Sequence, residues 1–399
     1  MKRANRCNWV LLLLGIGICT GAGPESFAQA PPSRPIAVGD LELVASLKGD
    51  QPAGIAITDS GRLFVTFPRH DGDVAFTVGE ITKKGRAVVA YPNAEINHAD
   101  KEHPAGTLFS VQSLLIDASS HLWMLDSGTL KFGEPPVKGA VKLVSVDLAS
   151  NKIVRTVLVP PEALVPKSAL KDFRFDFRRG KGGTAFITDS AAGSEALIVL
   201  DLASGRAMRR LTGSPAVSAR PGRTPIVGFE PLLEWPSKAI KQGAPKPWLV
   251  GLNALELNAD GKTLYFSAFT GRRLYSISAD NLLDTAIDNG KLASKVADLE
   301  DVGMGGHFAL DANNRLYFLD IEKNAIFRRT ADGRVRAMVV DPRLMWPDTM
   351  AIGPDEYLYV TTSQHDRRPE FHNGEELRQR PYGLYRTFVG SKRAKASWR

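Results

Sequence analysis

The chain has 399 residues, 43% of them hydrophobic and 24% charged, an ordinary globular composition with ample apolar material for a core. That excludes global disorder, and the presence of one long apolar run excludes a polytopic membrane protein. The formal charge of +8 is scattered over 51 basic and 43 acidic residues, so no basic patch points to nucleic acid as a partner.

At the amino terminus, Lys2, Arg3 and Arg6 precede an apolar run from Trp9 to Ile18. Small residues and Ser26-Phe27-Ala28 follow, which is the layout of a signal peptide. It predicts a signal over 1–28, with Ala28-Gln29-Ala30 as a second fit to the cleavage rule, and export to the periplasm or the medium. The run is far shorter than the ~20 residues of a membrane span, so no stable membrane insertion is expected. Lipid attachment at Cys19 is disfavoured by the bulk of Ile18. Both cysteines, Cys7 and Cys19, lie inside the signal, so the mature chain has neither disulfides nor thiol chemistry.

A linker at 29–40 leads to six copies of one pattern: apolar run, polar turn, apolar or aromatic run. They stand at Gly54–Phe67, Ser113–Gly128, Phe173–Ser190, Ala254–Gly271, Phe308–Asp320 and Met350–Gln364. Asp59-Ser60-Gly61, Asp260-Gly261 and Asn313-Asn314 tolerate the positive φ of tight turns, so each copy reads as a hairpin. Further strands, such as Val141–Leu148 with Ile153–Val159, bring each unit to four. Six four-stranded units predict an all-β chain, a six-bladed β-propeller over 41–390. Leu41–Leu47 and Leu384–Val389 are lone strands at the two ends, expected to pair and close the ring. The alternative is two β-sandwiches. Helical periodicity is weak, and the best short candidate is Asn281–Asp288.

Two segments stand apart. Ser214–Pro247 is rich in proline and arginine, and reads either as a surface connection or as a lid over the channel. The tail 391–399 carries Lys392, Arg393, Lys395 and Arg399 and reads as a solvated end.

In a propeller, residues just before each inner strand line the channel mouth. Here they are Gln51, Gln112, Asp172, Asn253, His307 and Asp348, all polar beside buried runs. Converging polar side chains suggest a site for a small-molecule ligand or a metal. Asp172, Asn253 and Asp348 offer hard oxygen donors, and oxygen-only coordination favours Ca²⁺ or Mg²⁺. The competing structural reading is that these side chains bond backbone groups or channel water. His307, Asp348 and Asp172 are the candidates for proton transfer. His98 and His103 could hold a metal but lack a ligand spacing and read as a surface loop, while His365 and His372 sit in a late polar loop and read as structural. Phe67, Phe76, Phe109, Trp123 and Trp346 read mostly as core between blades, with some able to stack a flat ligand at the mouth.

Several blocks carry a family resemblance: VQSLLIDASSHLWMLDSG at Val111–Gly128, TAFITDS at Thr184–Ser190, DGKTLYFSAFTGRRLYSI at Asp260–Ile277 and EKNAIFRR at Glu322–Arg329. MWPDTMAIGPDEYLYVTTSQ at Met345–Gln364 and PEFHNGEELRQRPYGLYR at Pro369–Arg386 complete the set. With these the chain resembles the major royal jelly protein/Yellow family across about Leu41 to Gly390. The resemblance implies a secreted six-bladed propeller with a ligand-binding channel. Its members include dopachrome tautomerases, amine-binding salivary proteins and nutritional proteins, and share no single catalytic set.

A more distant similarity is to the gluconolactonase and senescence-marker propellers, which hold a divalent metal at the inner-strand mouths. It implies ligands at Asn253 and Asp348. Three features depart from these patterns: Gln51 in place of a glutamate, Lys171 beside Asp172, and Gly305-Gly306-His307 before the fifth inner strand.

Two classes of function follow. One is a channel that binds a small aromatic or cationic ligand. The other is an enzyme, either a dopachrome-type tautomerase or a metal-dependent lactonase. The sequence names no protein partner.

Overall fold

The computed structural model describes residues 39–82, 87–219, 223–236 and 243–394. The predicted signal peptide, residues 29–38 of the linker and residues 395–399 of the tail lie outside the described residues.

The chain opens with β1 (Glu42–Leu47). Blade 1 is β2 to β5 (Ile55–Ile57, Leu63–Thr66, Val78–Ile81, Val88–Ala90) and blade 2 is β6 to β9 (Val111–Ile116, His121–Asp126, Lys142–Asp147, Lys152–Leu158). Blade 3 is β10 to β13 (Leu170–Asp176, Thr184–Asp189, Ala196–Asp201, Ala207–Arg210). Two short ribbons follow, β14 with β15 (Ile226–Val227, Glu230–Pro231) and β16 with β17 (Leu233–Glu234, Lys246–Pro247). Blade 4 is β18 to β21 (Leu252–Leu257, Thr263–Ala268, Arg273–Ser278, Ala297–Asp301). Blade 5 is β22 to β25 (Phe308–Leu310, Leu316–Asp320, Ala325–Arg329, Val335–Val340), and blade 6 begins with β26 to β28 (Pro347–Ile352, Tyr357–Thr362, Tyr382–Phe388).

The first strand of each blade is innermost, and these six strands touch in chain order, with β26 returning against β2. Closure follows the sequence expectation. β1 pairs antiparallel with β28 and becomes the outer strand of blade 6, so both chain ends are tied into one sheet.

The turn residues behave as their chemistry demands. Gly61, Gly261 and Asn314 adopt φ of +81°, +71° and +55°. Middle strands are largely buried because both their faces are covered, as along nearly all of β11 and β12. One apolar cluster fills each of the six gaps between neighbouring blades. Burial of each Leu or Phe there contributes roughly 1.5–3 kcal/mol, so the ring needs no covalent staple.

Two local expectations are corrected. The helical stretch is not continuous over Asn281–Asp288: it divides into α1 (Ala279–Leu283) and α2 (Asn289–Ala293), capped by the Ser278 and Asp288 side chains. The start of the tail is docked rather than solvated. Lys392 O accepts from Ala312 N at 2.8 Å and Ala394 N donates to Leu310 O at 2.8 Å, both in blade 5. Arg393 reaches blade 1, donating to Ile57 O at 2.8 Å and Asp59 Oδ1 at 2.7 Å. Among the described residues, no helix is long and apolar enough to cross a membrane.

Candidate functional site at the channel mouth

Four inner strands shift register near their start: between Val111 and Ser113, Leu170 and Phe173, Leu252 and Ala254, and Pro347 and Met350. A bulge of this kind re-aims side chains. The residues inside the shifts are Gln112, Lys171 with Asp172, Asn253, and Asp348 with Thr349, and all line one cavity of about 70 Å³. β2 and β22 are only three residues long and begin beyond this level. His307 enters the cavity from the segment before β22.

Five of the six polar residues singled out by the repeats therefore converge. Gln51 stands behind the wall, where its Nε2 donates to His365 Nδ1 at 2.9 Å and its Oε1 accepts from Arg378 Nη1 at 2.9 Å. Arg368 Nη1 stands 3.4 Å from the other ring nitrogen, Nε2, so both nitrogens of His365 face N–H donors.

Beyond the foreseen Trp346 and the Lys171 already noted beside Asp172, the wall is aromatic: His70, Phe132, Trp248, Phe269 and His365, of which only His365 was singled out in the sequence, as structural. His365 is buried, bonded to Gln51 and packed among the rings of the wall. Its ring centroid lies 5.1 Å from Trp346, 5.2 Å from His70 and 5.6 Å from Trp248. Burial, reinforced by the charge of Arg368, holds both His70 and His365 well below the ordinary imidazole range, so both rings are neutral. Trp248 lies just before an inner strand, as Gln51 does, and that position was the available signal. His98 and His103 are exposed, as expected.

Trp248 and Val250 follow directly on the proline-rich segment. Leu232 of that segment packs with Phe269, Trp346 and Phe371. Trp235 N donates to Glu370 O at 2.8 Å, and Ile226 N to Glu322 Oε1 at 2.9 Å. The described parts of the segment are thus seated on the mouth, which favours the lid reading over a free surface connection.

Charge is concentrated at the cavity floor. Lys171 Nζ lies 4.6 Å from the Phe132 ring centroid. Burial lowers its pKa to about 8, against the pull of the Asp348 charge. Burial likewise raises Asp348 to about 6, opposed by the Lys171 charge. Each keeps part of its surface, and that part lines the cavity.

Deeper along the axis, Arg174 blocks the channel. It donates to Asp172 Oδ1 at 2.9 Å, Glu256 Oε1 at 2.9 Å and Phe308 O at 2.9 Å. Beyond it lies a second cavity of about 80 Å³, lined by the far ends of the inner strands and closed by Arg393 and Ala394.

A divalent cation does not fit these donors. Asp172 spends Oδ1 on Arg174, Ser113 Oγ and Phe173 N. Asp348 shares its cavity with the Lys171 ammonium, a positive charge already in place. Lys171 does not point away from the axis, which removes the arrangement under which Asn253, Asp348 and Asp172 would hold Ca²⁺ or Mg²⁺. Among the described residues, no three His, Cys, Asp or Glu side chains are grouped to hold a metal ion.

The major royal jelly protein family model matches residues 109–379. L-dopachrome tautomerase yellow-f of Drosophila melanogaster is 28% identical over 140 residues, covering 32% of this chain and 32% of that protein. Dopaminechrome tautomerase of the same species is 29% identical over 117 residues, covering 27% of this chain and 24% of its own length. The matched stretch thus spans about a third or less of these curated relatives. A solved luciferin-regenerating enzyme has 14% identity and a TM-score of 0.54, with 90% of this chain and 98% of that one covered. A calcium-binding regucalcin from Agrobacterium tumefaciens has 14% identity and a TM-score of 0.50, with 88% and 95% covered. At such identity the likeness concerns the propeller fold alone.

Proposed function

The chain belongs to the major royal jelly protein family, and on that premise we propose that it binds a flat, quinone-like small molecule at the channel mouth and tautomerises it. One observation carries the reading: an ammonium and a carboxylate, Lys171 and Asp348, line one cavity within electrostatic reach of each other, walled by Trp248, Trp346, Phe132 and Phe269. Aromatic faces hold a ring, and the two titratable groups serve proton movement. The names of the two Drosophila relatives support the same chemistry.

A tautomerase removes a proton from carbon and places one on oxygen, with no net change. With a pKa of about 6, Asp348 is a stronger base than an ordinary carboxylate, yet still ionised at pH 7. With a pKa of about 8, Lys171 is still mainly protonated and can give a proton to the developing phenolate. His307 and Asp172 lie at the floor and hold the electrostatic frame. The internal ammonium favours an anionic or electron-rich ring over the cationic ligand that carboxylates alone would suggest.

A 70 Å³ cavity is smaller than the 150 Å³ kind that accepts benzene, so the bound state requires the Trp248 lid to shift. Export through the amino-terminal segment belongs to the same proposal and is checked by sequencing the amino terminus of the mature protein.

The test is dopachrome conversion, followed by the loss of its visible absorbance, with dopaminechrome alongside. Turnover above the uncatalysed rate, lost in Asp348→Asn, supports the tautomerase. Thermal stabilisation without turnover would leave a binding protein, and neither response would end the proposal.

A further inference from the structure

Lys171 differs from the other buried cations of the channel. Arg174 is tied to two carboxylates and two carbonyls. Arg368 is tied to Asp71 and Glu370 at 2.8 Å each. Lys171 has neither a hydrogen bond nor an ion pair within 4 Å among the described residues. Its surroundings are the Phe132 ring, the more distant charges of Asp348, Asp189 and Arg368, and the cavity itself. A buried primary amine against an aromatic ring, without a fixed partner and sharing its cavity with a carboxyl group that can pass protons, has the makings of a carbonyl-capturing lysine.

We propose that Lys171 forms a reversible imine with small aldehydes that enter the channel mouth. This rests on the mouth being a small-molecule site but not on tautomerisation. In the step, the neutral amine's lone pair attacks the carbonyl carbon and the C=O π pair moves to oxygen. Asp348 in its acid form protonates that oxygen and receives a proton back from nitrogen, giving a carbinolamine. Asp348, again in its acid form, protonates the hydroxyl; the C–O bond breaks, water leaves, the nitrogen lone pair closes the C=N bond, and the N–H proton of the resulting iminium returns to Asp348. No oxidant or reductant is involved. A two- or three-carbon aldehyde suits the 70 Å³ cavity without any lid movement.

At pH 7 about one amine in ten is neutral at a pKa of about 8, against roughly one in 2,500 for a surface lysine near 10.4. The experiment treats the intact protein at pH 7 with acetaldehyde and cyanoborohydride, which reduces an imine to a stable ethylamine. Peptide mass spectrometry then follows ethylation at every lysine with time. Lys171 is expected to be modified at least about tenfold faster than the surface lysines, and Lys171→Arg to lose that modification while keeping the wild-type melting temperature. Ethylation of Lys171 at or below the surface rate overturns the proposal. Thermal stabilisation by dopachrome, measured on the same preparation, separates the two readings. If it persists while Lys171 stays unmodified, imine capture alone fails; if both vanish, the mouth is not a small-molecule site.

Discussion

His307 holds its Nε2 3.6 Å from Asp172 Oδ2, and neither that oxygen nor the ring's Nδ1 has a hydrogen-bond partner among the described residues. The other oxygen of Asp172 is committed to Arg174, Ser113 and the Phe173 amide. The carboxylate is therefore spent mainly on the axial arginine. Burial keeps His307 neutral, lowering its pKa to about 4 despite the facing aspartate.

That depression has a pH signature. The unfolded imidazole protonates near 6.5 and the folded one near 4, so acid favours the unfolded chain in between. Stability contributed by the neutral ring is present above pH 6.5 and lost as pH falls toward 4. Asp348, with its pKa raised, acts in the opposite sense, costing stability as pH rises through about 6. His307→Gln should remove about 2 kcal/mol of the stability lost between pH 7.5 and pH 5, read from urea unfolding at both values. An unchanged pH slope would mean the ring is charged or exposed.

Asp348→Asn keeps shape and removes the proposed base. Dopachrome turnover should fall roughly 10²- to 10⁴-fold, with ligand-induced stabilisation retained. Turnover close to wild type would move the base elsewhere.

Arg174→Met should destabilise the ring by about 3–5 kcal/mol, because Asp172 and Glu256 would stay buried without their cation. Adding Asp172→Asn and Glu256→Gln should restore much of that loss. A single variant as stable as wild type in guanidinium would show that the axial cluster is solvated.

Trp248→Ala removes the aromatic face that the lid contributes. The cost should be about 1.5 kcal/mol of ligand binding, close to tenfold in Kd by calorimetry, with the fold intact since Trp248 packs at the rim. An affinity equal to wild type would place the ligand away from the lid.

Prolonged chelation should leave both melting temperature and dopachrome turnover unchanged, because Lys171 supplies the positive charge at the mouth. A drop in melting temperature reversed by Ca²⁺ would restore the metal reading of Asn253 and Asp348.

The propeller was legible along the chain because each hairpin is a local object. The Asp59-Ser60-Gly61 turn and its flanking apolar runs require nothing from distant residues, and the same pattern recurs six times. Repetition also marked the mouth positions, since Gln112, Asp172, Asn253 and Asp348 hold like places in their repeats. What those positions face depends on loops without a repeat. His70 and His365 stand 295 residues apart (365 minus 70) yet lie 5.2 Å from each other, and Trp248 arrives from a lid with its own connectivity. Whether a carboxylate serves a metal or an ammonium was likewise beyond local pattern. Lys171 is visible beside Asp172, but only the bulge in β10 turns both into the axis, and only closure of the ring brings Asp348 within reach of that charge. Strand and turn follow from short-range sterics and hydrophobic alternation; the electrostatics of the site follow from long-range burial, which exists only once six blades have met.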